Sequence, residues 1–246
     1  MLECDAISVP GISRFGFHTT AWTLVLAASR NPTTDARPAL AALCQTYWNP
    51  VYAFIRRRGH TPDQAQDLTQ GFFALLLEKQ FLRDVHQQRG RFRSFLLAAV
   101  KHFLANERDR AHAVKRGGGR VPISIDVLEA ESWYAPAAVE TTTPERLFER
   151  RWALSVVEHV MARLRADYNY SAMGKAEQFA RLEALLTKDA RCEPLAQEMG
   201  VSAGALRMSL HRLRRKYRQI LREEIAETVS TPAEIDEEIR FLISVL

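Results

Sequence analysis

Helical periodicity runs through almost the whole chain, and three Thr-Pro pairs punctuate it: Thr61-Pro62, Thr143-Pro144 and Thr231-Pro232. A threonine just before a helix can accept from its first free N–H groups. The fixed φ and missing N–H of proline suit the first helical position. Two of the pairs continue into a capping box, Thr61 with Gln64 and Thr231 with Glu234. Clear strand alternation is nearly absent, so the expected fold is all-α.

The first capped helix carries Leu68, Phe72, Leu75 and Leu76 on one side, and the last carries Ile235, Ile239 and Leu242. Upstream, Pro38 to about Arg57 reads as a helix bent or broken near Pro50. Phe92 to about Ala113 reads as another, with Phe92, Phe95, Leu96, Ala99, Phe103 and Leu104 on its apolar side. The pattern then stops at Gly117-Gly118-Gly119 and does not resume until Pro144. A connection of roughly 25 residues is longer than most within one compact domain. The expected organisation is therefore two helical domains, 19–116 and 144–228, joined by a flexible linker over 117–143, with an N-terminal extension over 1–18 and a C-terminal helical tail over 229–246. The triple glycine lacks the G-x-x-x-x-G-K-[ST] spacing and a preceding buried strand, so it reads as linker and not as a phosphate loop.

The segment from Leu195 to Arg222 is the most specific. Between Glu198 and Glu223 there is no acidic residue, while Arg207, Arg212, Arg214, Arg215, Lys216, Arg218 and Arg222 all fall there. Leu206, Leu210, Leu213, Tyr217 and Ile220 recur at helical steps and form one apolar stripe. Arg207, His211, Arg214 and Arg218 follow the same rhythm on another face. Leu195-Ala196 lies on a short preceding helix, Gly200 ends it, and Ser202 caps the next. Ala196 permits a close crossing and Gly200 the positive φ of a tight turn, which together read as a helix-turn-helix. Solvated helices usually mix charge signs to gain i,i+4 pairs. A run of cations without one acid is suited to a polyanion, and a helix so faced suits phosphates and base edges.

Other features narrow the class. Lys and Arg total 34 against 29 Asp and Glu, a mild bias toward acidic partners. Cys4, Cys44 and Cys192 lie far apart without paired spacing, which argues against a disulfide framework or zinc site and for a reducing cytoplasm. The apolar run from Trp22 to Ala28 is too short to span a bilayer, and residues 1–15 lack the layout of a signal peptide. No metalloprotease, nucleophile-elbow, phosphate-loop or dinucleotide motif occurs, so an enzyme is not expected, nor a metal or cofactor.

The first half discriminates among DNA-binding proteins. Thr61 to Phe73 reads TPDQAQDLTQGFF, Phe92 to Asn106 reads FRSFLLAAVKHFLAN, and ALRMSLHRLRRKYR follows near the C-terminus. In this order, with a linker between, they resemble bacterial RNA polymerase sigma factors of the extracytoplasmic-function type, over roughly 19–222. The resemblance implies that the first domain binds core RNA polymerase through Asp63, Gln66, Asp67 and Gln70. It implies minus-ten promoter contacts from Arg89, Arg91, Phe92, Arg93, His102, Asn106 and Arg110, with Phe92 or Phe95 as wedge or stacking residues, although the spacing of Phe95 favours a core role. In the second domain it implies that the helix-turn-helix reads the minus-thirty-five element through Ser202, Arg207 and His211, with Arg214 and Arg215 on phosphates.

Two departures stand out. Phe95 occupies a position usually held by Trp, and His102 and Asn106 replace the family's common Asn and Asp, so promoter preference does not carry over. The partners implied are core polymerase and promoter DNA, with no membrane. The regulator stays open between an anti-sigma protein, a kinase pathway and the chain's own tail. That tail, acidic at Glu234, Asp236, Glu237 and Glu238, either lies against the basic DNA face or packs; its apolar residues favour packing. The alternative to a sigma factor is an autonomous helix-turn-helix regulator that binds operator DNA as a dimer without polymerase.

Overall fold

The computed structural model describes residues 36–77, 91–113, 142–171, 176–183, 185–186 and 192–246. Within them the fold is all-helical, with no strand. The helices are α1 (Ala36–Arg57), α2 (Pro62–Leu77), α3 (Phe92–Ala113), α4 (Pro144–Ser171), α5 (Ala176–Glu183), α6 (Cys192–Glu198), α7 (Ala203–Ala226) and α8 (Ala233–Val245).

The caps follow the local chemistry of the Thr-Pro pairs. Thr61 and Gln64 form a reciprocal box: the Gln64 N–H donates to Thr61 Oγ1 at 3.3 Å, and the Thr61 N–H to Gln64 Oε1 at 3.2 Å. Thr143 Oγ1 accepts from the Arg146 N–H at 3.3 Å. At the third pair the helix begins one residue later, after Pro232. There the Glu234 carboxylate takes the N–H groups of Ser230 and Thr231, at 3.0 and 2.9 Å. Pro50, expected to bend or break its helix, lies inside α1, which runs unbroken from Ala36 to Arg57. Gly59, at φ 94°, then ends the helix, with its N–H donating to the Arg56 carbonyl. The left-handed region is accessible to glycine without the Cβ penalty.

Helix α4 is the spine. It packs on α1 more extensively than any other pair of described helices, and also touches α5, α7 and α8. Phe148 of α4 meets Phe54 edge-on at 6.4 Å and Tyr47 at 6.5 Å, both from α1. The helices on either side of the expected domain boundary therefore share a core, and the Arg57 guanidinium adds a hydrogen bond to the Thr142 carbonyl at 3.0 Å. The connection over 117–141 lies outside the described residues. Aromatic rings dominate this core because each removes a large apolar area from water. Tyr47, Tyr52, Phe54, Phe72, Phe92, Phe148 and Trp152 are all fully buried. None of the described helices is long and apolar enough to cross a membrane.

Candidate nucleic-acid interface

Helix α6, a short turn and α7 form one local unit. The Val201 N–H donates to the Ala196 carbonyl and the Gly200 N–H to the Gln197 carbonyl, at 3.0 and 3.1 Å. This is the paired hydrogen-bond pattern that ends a helix on a left-handed glycine, and Gly200 has φ 63°. Ala196 is buried at the crossing. Ser202 then caps α7, its Oγ accepting from the Ala205 N–H at 3.2 Å.

The apolar stripe of α7 faces inward. Leu206, Leu210, Leu213, Ile220, Leu221 and Ile225 are buried, and Tyr217 is half-buried, with burial pushing its hydroxyl above the usual tyrosine range. Directly opposite run Met208, His211, Arg212, Arg215, Arg218 and Arg222, all exposed. Met208 is 60% exposed, an apolar side chain amid cations. Such a side chain is suited to a thymine methyl.

The residues expected to touch DNA, Ser202, Arg207 and His211 in the groove and Arg214 and Arg215 on phosphates, divide. His211 and Arg215 stand on this outer ridge. Arg207 is exposed at its edge and bridges to Glu193 of α6 at 2.7 Å; that hydrogen bond holds the Glu193 carboxyl below the usual carboxylate range. Ser202 lies at the helix start with its oxygen engaged in the cap. Arg214 is half-buried and turns away, donating to the Leu185 carbonyl at 3.2 Å. Its spacing from Arg207 and His211 suggested a shared face, but it sits at the margin of the buried stripe. Met208 and Arg212 were not singled out by spacing; counting the face opposite the leucine stripe would have found both.

The start of α3 is closed. Phe92 is fully buried, edge-on to Tyr47 at 4.9 Å, so the expected wedge role does not fit its position in this conformation. Its N–H donates to the Thr228 carbonyl at 2.9 Å, tying α3 to the end of α7. Arg93 is only 5% exposed. Its Nε donates to Glu238 Oε1 at 2.9 Å and its Nη1 to Glu149 Oε1 at 3.3 Å. The guanidinium also lies 3.9 Å from the Phe241 ring centroid and 5.0 Å from that of Trp152. Arg91 pairs with Glu237 at 2.6 Å and Glu238 at 3.1 Å. Neither arginine is presented to a phosphate here. Phe95 is buried, as its spacing implied. Farther along α3, His102, Asn106 and Arg110 are exposed, with Arg110 bridged to Glu107 at 2.7 Å. Arg89 lies outside the described residues.

On α2, Asp63 and Asp67 are exposed and Gln66 and Gln70 half-buried, while Ala65, Thr69, Phe72 and Leu76 point into the core. The acid-and-amide ladder thus occupies the outer face. Among the described residues, no cluster of three or more His, Cys, Asp or Glu side chains is arranged to hold a metal ion. No protein-family model, curated protein or solved structure matches this chain significantly.

Proposed function

We propose that this chain is a sigma factor of the extracytoplasmic-function type, a non-enzymatic cytoplasmic subunit that binds core RNA polymerase and directs it to the promoters of a subset of genes. The observation that carries the reading is the outer ridge of α7. A glycine turn aims a helix whose exposed face holds Met208, His211, Arg212, Arg215, Arg218 and Arg222 and no acid before Glu223. Cations there supply sequence-independent phosphate attraction, while His, Met and Arg suit base edges in the major groove. On this reading α6 and α7 are a helix-turn-helix docked on the upstream promoter element.

The ladder of Asp63, Asp67 and Gln70 on α2 supports a separate protein contact, since an acidic face would repel DNA. His102, Asn106 and Arg110 on α3 supply exposed groups for the downstream element. In-vitro transcription with purified core polymerase and a genomic promoter pool tests the assignment. Initiation at defined promoters supports it; operator binding with no effect on initiation supports an autonomous regulator instead. Asp67→Ala with Gln70→Ala is expected to weaken polymerase binding and leave duplex DNA affinity intact. Unchanged core binding in a competition assay removes α2 from the polymerase contact.

A further inference from the structure

Helix α8 carries four acids, and three of them meet arginines of the surfaces assigned to nucleic acid. Glu237 and Glu238 engage Arg91, and Glu238 engages Arg93, at the start of α3. Asp236 pairs with Arg222 at the far end of the α7 ridge. The fourth, Glu234, caps its own helix. Glu238 is fully buried, and Phe241 from the next turn covers the guanidinium of Arg93. One helix therefore closes on the start of α3 and on the far end of the α7 ridge at once.

We propose that α8 is an autoinhibitory clasp: its carboxylates stand in for nucleic-acid phosphates on Arg91, Arg93 and Arg222, and α8 must leave before the start of α3 can engage promoter DNA. The inference rests on the sigma-factor reading and specifies how its downstream DNA surface is regulated. A bidentate arginine–carboxylate pair is geometrically close to an arginine–phosphate pair, so one can replace the other without rebuilding the site. Packing holds the clasp shut, because Leu242 is buried and Phe241 meets Trp152 of α4 at 6.2 Å. A polyanion supplies the competing charge. Only the outer part of the α7 ridge is open in the closed form, so duplex binding precedes release.

Two measurements on the full chain test the clasp. Hydrogen exchange of the unmodified protein is followed with and without a forked promoter-like DNA carrying a single-stranded arm. Faster exchange in α8 on saturation, by about tenfold or more, is expected; α8 protection that stays unchanged or rises in the bound complex overturns the clasp and leaves a structural brace. In parallel, Glu237→Gln with Glu238→Gln is expected to raise affinity for the forked DNA about tenfold at low salt. It should also steepen the log–log salt slope by about two, one for each arginine released. An unchanged affinity and slope overturns the proposal. If neither protein binds any form of DNA, the sigma-factor reading falls with it, whereas tight binding of the forked, single-stranded arm with α8 still closed overturns the clasp alone.

Discussion

The start of α3 and the outer ridge of α7 are both arginine-rich, yet they are in opposite physical states. On α7, Arg212, Arg215 and Arg218 face solvent and a polyanion can reach them. On α3, Arg93 is enclosed by Glu238, Glu149, Trp152 and Phe241, the first of these 145 residues away along the chain. An exposed guanidinium gains little from a partner because water screens it. A buried one is held by its partners, since taking either away strands a charge in a medium that cannot solvate it. Charge content therefore says nothing about availability until the neighbours brought in by the fold are known.

The contrast can be broken most directly at Arg93. Arg93→Ala is expected to destabilise the chain by about 3–5 kcal/mol, because the buried Glu238 loses its bidentate partner and keeps only the Arg91 contact. Arg215→Ala is expected to stay within about 0.5 kcal/mol. Urea denaturation of both variants gives the comparison, and equal small effects would show that the α3 pair is solvated. Arg93→Met with Glu238→Leu is expected to recover most of the loss, which separates removal of one charge from removal of both.

The next effect concerns the aim of the ridge. Gly200→Ala forces a Cβ onto a left-handed residue and is expected to lose about 1–2 kcal/mol, although nothing lies near enough to clash. A thermal melt checks it, and no loss would mean the turn relaxes. Arg215→Ala is expected to lower the salt slope of duplex binding by about one, roughly a threefold affinity change between 50 and 200 mM salt. An unchanged slope would remove Arg215 from the phosphate contacts.

The smallest effect is a pH dependence across the α3–α4 contact. The Lys101 ammonium, 2.8 Å from Glu145, holds that carboxyl below its usual value of 4.5. A depressed folded pKa means the unfolded chain binds the proton first. The pair therefore contributes above about 4.5, and its contribution is lost as pH falls through the folded value. Both side chains are over a third exposed, so screening limits the effect to a few tenths of a kcal/mol, about the lower end for exposed pairs. Denaturation at pH 7 and pH 3.5 is expected to differ less in Lys101→Met than in the unmodified chain by that amount.

Features set within a few residues were legible beforehand. The capping box at Thr61, the glycine turn at Gly200 and the leucine stripe of α7 depend on i to i+4 geometry, which a linear pattern records. Exposure of Asp63 and Asp67 followed from the same periodicity. Phe92 was ambiguous, because one spacing serves equally for a core ring and for a ring awaiting a base; the proximity of Tyr47 decided it. Arg214 was misplaced because a helical wheel does not show where a neighbouring turn, here Leu185, offers a carbonyl. Nor did periodicity reveal that α1 lies along α4, because both have apolar faces and nothing local says which faces meet.

The amino-acid sequence alone determined that the chain is helical, where several helices begin, and that α7 has one apolar side and one cationic side. These are consequences of backbone geometry and side-chain period. The tertiary structure decided which cations remain open. Ion pairing and desolvation act across space, and only folding brings the carboxylates of α8 against the arginines at the start of α3.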